Sequence, residues 1–118
     1  MTPQDILLQA AEIIDRRGQD YGGIENNFHL AATLASLRLG REIHPYEIAV
    51  MLVCVKNARA FTSPNHLDSH IDAMNYEAFA ATFADDYSAE RRSKPASSAE
   101  LPVVDNHSGD LAFFGESA

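Results

Sequence analysis

The run Ile48-Ala49-Val50-Met51-Leu52-Val53-Cys54-Val55 carries no polar side chain on any side. Pro45 and Glu47 stand before it, and Lys56, Asn57 and Arg59 follow it. Acid at the start and base at the end is the order a helix dipole favours. A helix that is apolar all round must be surrounded by protein, in the middle of a bundle or at a subunit interface. The run falls well short of the roughly 18 apolar residues that a membrane span requires. A helical protein built around this segment is therefore the starting expectation.

The flanking sequence reads as three more helices. Thr2 suits an N-cap, Pro3 the first helical position and Asp5 the first turn. Ile6, Leu7, Ala10, Ile13 and Ile14 then recur at helical spacing, and Gly18 is expected to end the helix. The glycine-rich stretch Gly18-Gln19-Asp20-Tyr21-Gly22-Gly23 should turn sharply. A second helix is expected from Ile24 or Glu25 to Leu39, with Phe28, Ala31, Ala32, Ala35 and Leu39 near one face and Gly40 at C′. Ser63-Pro64 reads as an N-cap and N1 pair opening a fourth helix that continues to about Ala84. On it Leu67, Ile71, Met74 and Ala78 form one stripe, and Asp68, Asp72 and Asn75 a second beside it. Four helices with short connections predict an all-α fold with an antiparallel four-helix-bundle core.

Composition divides the chain of 118 residues into a helical core at 1–85 and a tail at 86–118 rich in Ser, Pro, Glu and Asp. The tail holds two apolar islands, Leu101-Pro102-Val103-Val104 and Leu111-Ala112-Phe113-Phe114, which suit docking on the core or on a neighbouring subunit. The net charge of −8 argues against a nucleic-acid partner, because phosphate contacts require a basic face. A nucleotide remains compatible, since a divalent cation can bridge carboxylates to phosphates. The single cysteine, Cys54, excludes an internal disulfide, and its apolar surroundings predict a small buried hydrophobe. No basic n-region or secretory h-region opens the chain, so a cytoplasmic location and no membrane partner are expected.

The residues that carry chemistry gather in a few places. Asp68 and Asp72 stand one helical turn apart and face the same way, as hard oxygen ligands for Mg²⁺ or Mn²⁺ would, or as a solvated acidic face. Glu47 and Glu25 open helices three and two, and each serves either as a further ligand or as a partner of the helix dipole. Lys56 and Arg59 offer phosphate contacts, or simply complement the C-terminal end of helix three. Arg17, Tyr21 and Gly22, followed by Asn27 and Phe28, suit a loop that presents N–H groups to an anion while Tyr21 stacks on a base. His66 and His70 are four apart and could ligate zinc, without the intervening glutamate of H-E-x-x-H. There is no Walker loop, no G-x-S-x-G and no adjacent His-Asp pair, which disfavours P-loop, serine-nucleophile and HD-type phosphohydrolase chemistry.

Taken in order, Arg17-x-x-x-Tyr21-Gly22, Asn27-Phe28, Ile43-His44-Pro45-Tyr46-Glu47-Ile48-Ala49, Lys56-x-x-Arg59 and Asp68-x-x-x-Asp72-x-x-Asn75-Tyr76 resemble small phage proteins related to the MazG-like all-α nucleotide pyrophosphohydrolases. The resemblance covers about residues 5–80. It implies a homodimer or homotetramer and Mg²⁺- or Mn²⁺-dependent hydrolysis of a nucleoside triphosphate to monophosphate and pyrophosphate. The MazZ branch of such phage proteins implies (d)GTP as the substrate. In that reading Glu47, Asp68, Asp72 and Glu25 hold metal, and Asp72, Asp68, Glu47 and Lys56 carry the catalysis. Arg17, Tyr21, Asn27, Asn75 and Arg59 bind the nucleotide. The chain departs from the family in its acids. The family pattern is E-x-x-E on one helix and E-x-x-D on the next, whereas the E-x-x-D here, Glu12-Ile13-Ile14-Asp15, lies on helix one. A non-enzymatic helical adaptor or inhibitor of a host factor is the rival expectation, since an apolar helix and an acidic surface serve it equally well.

Overall fold

The computed structural model describes residues 1–21 and 23–93, and these form four helices with no strand among them. They are α1 (Pro3–Tyr21), α2 (Ile24–Leu39), α3 (Pro45–Thr62) and α4 (Leu67–Ser93). The chain divides into two compact units, Met1–Tyr87 and Ser88–Ala118. Residues 88–93 of the second unit continue α4, and the two apolar islands of the tail lie outside the described residues. The all-α bundle is as expected.

The helix starts and stops follow from local chemistry. At α1, the Asp5 N–H donates to Thr2 Oγ1 at 3.1 Å, and Thr2 N–H donates to Asp5 Oδ2 at 3.0 Å. These reciprocal bonds satisfy donors that the first turn would otherwise leave to water. The Thr2 backbone bond first, and the bond with its side chain second, hold the Asp5 carboxyl below the ordinary aspartate range. A lowered carboxyl contributes stability above its unfolded value and loses it as pH falls through the lower folded value. The first turn of α1 should therefore fray in acid, read by faster amide exchange at Asp5 and Ile6. Asp5→Asn should remove that pH dependence; an unchanged profile would show that the box does not hold the turn.

Gly18 does not end α1, which runs on to Tyr21. Glycine inside a helix costs only about 1 kcal/mol, so one glycine does not stop a helix that its neighbours continue. The reversal falls instead at Gly23, whose φ of 138° is open to glycine and strained for other residues. α2 ends as predicted, with Gly40 left-handed at φ 71° and its N–H donating to Ser36 O at 3.0 Å. Ser36 also fastens the α2–α3 connection: Ile43 N–H donates to Ser36 Oγ at 2.8 Å, and that hydroxyl donates to Ala32 O at 2.7 Å. α3 opens on His44, not on a serine or aspartate. Tyr46 N–H donates to His44 Nδ1 at 3.0 Å, and His44 N–H donates to Glu47 Oε1 at 2.9 Å.

Two expectations about α4 are corrected. It starts at Leu67, because Ser63 serves as the C-cap of α3 and Pro64 lies in the turn that follows. It also runs past Ala84 to Ser93, since no glycine or proline interrupts the polar stretch between them. A change of composition from apolar to polar marked the end of a buried face, not the end of a helix.

The core brings Phe28 of α2, Ala49 of α3, and Ala80 and Phe83 of α4 together. Phe28 is its centre, with ring centroids 5.0 Å from Phe79, 5.6 Å from Phe83 and 6.3 Å from Tyr76. Leu39, expected on the inner face of α2, is exposed, as are Leu30, Leu34 and Leu37 on the same helix. α3 is not enclosed on all sides within one chain: Met51 and Val55 are exposed. Cys54, expected to be buried, shares that outward face and is exposed.

Candidate functional site

Three of the candidate polar residues, Arg17, Asn27 and Asn75, line one cavity. A hollow of about 300 Å³ is lined by Ile13, Ile14 and Arg17 of α1, Ile24, Asn27, Phe28 and Ala31 of α2, Ile48 and Leu52 of α3, and Asn75, Tyr76 and Phe79 of α4. All four helices contribute to its wall. A cavity this size lies at the small end of ligand pockets, which run from about 300 to 1,000 Å³. Its wall is mostly hydrocarbon and aromatic, with Arg17, Asn27 and Asn75 as its polar side chains.

Arg17 ties the cavity to a charged cluster. Asp72, whose side chain is only 15% exposed, receives Lys56 Nζ on Oδ2 at 3.1 Å and faces Arg17 Nη2 from Oδ1 at 3.8 Å. Lys56 is itself 25% exposed, so this is a half-buried pair with little solvent screening. Asp72 and Asn75 are three apart on α4 and thus neighbours on one face. Asn75 is 7% exposed, and its Nδ2 has no hydrogen-bond partner.

The structure brings Arg17, Asn27, Lys56, Asp72 and Asn75 together and leaves the other candidates elsewhere. Glu47 caps α3 through the His44 N–H and meets Arg41 at 4.0 Å, so the dipole and capping role accounts for it. Glu25 is exposed in the first turn of α2, where it lines a neighbouring hollow with Gly23 and Asn26. Asp68 is exposed in the first turn of α4, and Arg59 is exposed near the end of α3. No three of Glu25, Glu47, Asp68 and Asp72 lie close enough to hold one ion among the described residues. The expected set of four metal ligands therefore does not assemble on one chain. The reason is topological: Glu25, Glu47 and Asp68 sit in the first turns of three different helices, where an acid is stabilised without a metal, and Asp72 lies a turn further along α4. His66 and His70 are also spent locally, His66 Nδ1 on Ser69 Oγ at 2.8 Å and His70 Nε2 on Pro64 O at 2.7 Å. The side chain of Tyr21, and Gly22 altogether, lie outside the described residues.

Some contributors escaped sequence reasoning. Ile13, Ile14, Leu52 and Phe79 line the hollow, yet on a helical wheel they are indistinguishable from core residues. Ser69 is fully buried, at 1% exposure, because His66 satisfies its hydroxyl. His44, 9% exposed, bonds Asp86 Oδ2 through Nε2 at 2.9 Å. The His-Pro pair three residues before Glu47 was the available signal for its capping role.

A helical bundle with an apolar hollow and a charged cluster at its edge is the class of protein these features define. The chain belongs to the family described as a domain of unknown function, DUF6378, which matches residues 5–84. It is similar to the Gene 55 protein of Mycobacterium phage L5, at 38% identity over 73 residues, covering 60% of this chain. The matched segment spans about half of that relative, 47% of its length. No solved structure matches the chain. No helix among the described residues is long and apolar enough to cross a membrane.

Proposed function

We propose that the protein binds a nucleoside triphosphate and hydrolyses it to the monophosphate and pyrophosphate. The observation that carries this reading is the joining of an aromatic-walled hollow to the Arg17–Asp72–Lys56 cluster through a shared residue, Arg17. A flat heterocycle fits the hollow, and the phosphates then fall near two cations. The motif order shared with MazG-like pyrophosphohydrolases supports the reaction class, and similarity to a phage protein suits a role in phage nucleotide metabolism, with (d)GTP as the first substrate to try.

In this reaction a water oxygen bonds to the α-phosphorus and the bond from that phosphorus to the α–β bridging oxygen breaks. Pyrophosphate leaves and a proton goes to solvent. Arg17 and Lys56 offset charge on the phosphates, and Asp72 holds both cations in place before substrate arrives, which is electrostatic preorganisation. Asn27 and Asn75 position the nucleoside. Because the four acids do not converge, the Mg²⁺ or Mn²⁺ dependence we propose is that of the triphosphate's own counter-ion.

A nucleotide panel tests the reading. With Mg²⁺ or Mn²⁺ and each NTP and dNTP, the expected products are monophosphate and pyrophosphate. Diphosphate and phosphate would indicate a different phosphohydrolase, and no turnover by folded protein would sink the proposal.

The exposed leucines of α2 and the exposed Met51 and Val55 of α3 favour a second reading, a helical assembly module. Such faces in a single chain mark protein contacts, and a homodimer or homotetramer would cover them. A pure adaptor should show no thermal shift with Mn²⁺ and nucleotide, whereas a nucleotide-binding enzyme gains about 2.7 kcal/mol at a hundredfold excess over Kd.

A further inference from the structure

We infer that the two cations on Asp72 divide their work: a phosphorylated ligand in the hollow draws Arg17 off Asp72 and onto its phosphates, while Lys56 stays behind to neutralise the carboxylate. The inference rests on the reading that the hollow and its edge hold a nucleotide. It adds which cation touches the ligand and which one works at a remove.

Position separates the two first. Arg17 lines the hollow, and Lys56 and Asp72 do not. The Arg17 side chain is 48% exposed, and that of Lys56 is 25% exposed. Strength of hold separates them next. Lys56 Nζ stands 3.1 Å from Asp72 Oδ2, a hydrogen-bonding distance. Arg17 Nη2 stands 3.8 Å from Oδ1, too far for a hydrogen bond, so charge alone holds it there. Charge attraction at a half-exposed side chain is screened by water and salt and is weak. Arg17 therefore leaves at small cost, whereas Lys56 would give up a hydrogen bond between two half-buried charges.

Charge decides what becomes of Asp72. The cluster sets two cations against one carboxylate, so it carries an excess of positive charge in a chain whose net charge is −8. When Arg17 moves, Asp72 keeps Lys56, and the pair that remains is neutral. Without Lys56 a half-buried carboxylate would stand uncompensated close to the phosphates, and like charges repel more strongly where water is scarce. A guanidinium suits the mobile part, because its donors form a planar fork that meets phosphate oxygens two at a time. Ile13 lies four residues before Arg17, on the same face of α1, and lines the hollow too. The cation that moves thus stands one turn from the apolar wall.

The test uses the full chain with Mg²⁺ and the α,β-methylene analogues of the nucleoside triphosphates, in which carbon replaces the bridging oxygen at the bond to be cleaved. Calorimetry reads their affinities, with the matching nucleosides as phosphate-free controls. Arg17→Met should weaken the analogue that binds by about tenfold or more, the usual effect of losing hydrogen bonds to a charged group, and leave its nucleoside nearly as it was. Lys56→Met should weaken the analogue too, since Asp72 then faces the phosphates uncompensated. The two part company when Asp72→Asn is added. Lys56→Met with Asp72→Asn should recover most of the binding, because no carboxylate remains to neutralise; turnover of the true triphosphate stays low, because Arg17 is no longer held in place beforehand. Arg17→Met with Asp72→Asn should stay weak, because Lys56 does not reach the ligand. In the unaltered chain, nitrogen NMR should show the Arg17 guanidinium resonance moving on binding of the analogue, and the Lys56 ammonium resonance moving far less. That measurement decides where a variant fails to fold.

Recovery by Arg17→Met with Asp72→Asn, no recovery by Lys56→Met with Asp72→Asn, or a Lys56 resonance that moves as far as that of Arg17 would overturn the inference. Triphosphate turnover by a protein whose binding is indifferent to Arg17→Met would overturn it and leave the hydrolase reading standing. An analogue held through Arg17, with no turnover of any true triphosphate, would sustain it and overturn the hydrolase. Folded protein that binds none of the analogues would overturn both.

Discussion

Asp72→Asn should lower turnover of the preferred triphosphate by about 100-fold or more, the scale on which misplaced catalytic groups act. The carboxylate holds Lys56 at 3.1 Å and Arg17 at 3.8 Å, one on each oxygen. An amide of the same shape cannot neutralise either cation. Lys56 and Arg17 would then repel one another and move toward solvent, away from the positions that meet the phosphates. Stability should fall as well, by about 1–2 kcal/mol, between the small value of an exposed pair and the larger one of a fully buried pair. The two effects separate in a double-mutant cycle with Lys56→Met. If the cluster acts as a unit, the paired change costs little more stability than Asp72→Asn alone, while activity stays lost. An Asp72→Asn protein that turns over normally would remove this cluster from the site.

Phe28→Ala should cost about 3–5 kcal/mol in urea unfolding, the usual range for removing a buried phenyl ring. Phe28 is 5% exposed and meets Tyr76, Phe79 and Phe83. It also lines the hollow. Domains of this size have only about 5–15 kcal/mol in total, so the variant should melt at least about 10 °C lower. Phe28→Leu should lose less, because it leaves a smaller void. A loss under about 1 kcal/mol for the alanine would mean that the aromatic group is not the core of the bundle. The same change enlarges the hollow, so nucleotide binding should weaken even at temperatures where the variant stays folded.

Sequence reading picked out polar residues that the structure brings near one another more readily than it assigned their work. Arg17, Asn27, Lys56, Asp72 and Asn75 were legible because polar groups recur at helical spacing beside apolar stripes. Glu47, Glu25 and Asp68 were legible as acids, but spacing could not separate a ligand from a helix-start acid. Only the His44 N–H bond to Glu47 and the exposure of Glu25 and Asp68 made that separation. The structure pairs Asp72 with two cations of the chain, Arg17 of α1 and Lys56 of α3. No period along a single helix reports which residue of another helix stands opposite.

Within the described chain, the all-α bundle, the α2 boundaries and the caps at Thr2 and Gly40 were determined by sequence alone, because backbone hydrogen bonding and capping act over a few residues. The start of α4 was not, since Ser63-Pro64 satisfies the rules for a helix start and for a connector equally. Tertiary structure alone decided which apolar residues became core, which lined a cavity and which, like Cys54 and Leu39, stayed exposed. Hydrophobicity states that a side chain gains by leaving water; whether another helix is there to receive it depends on how the four axes cross.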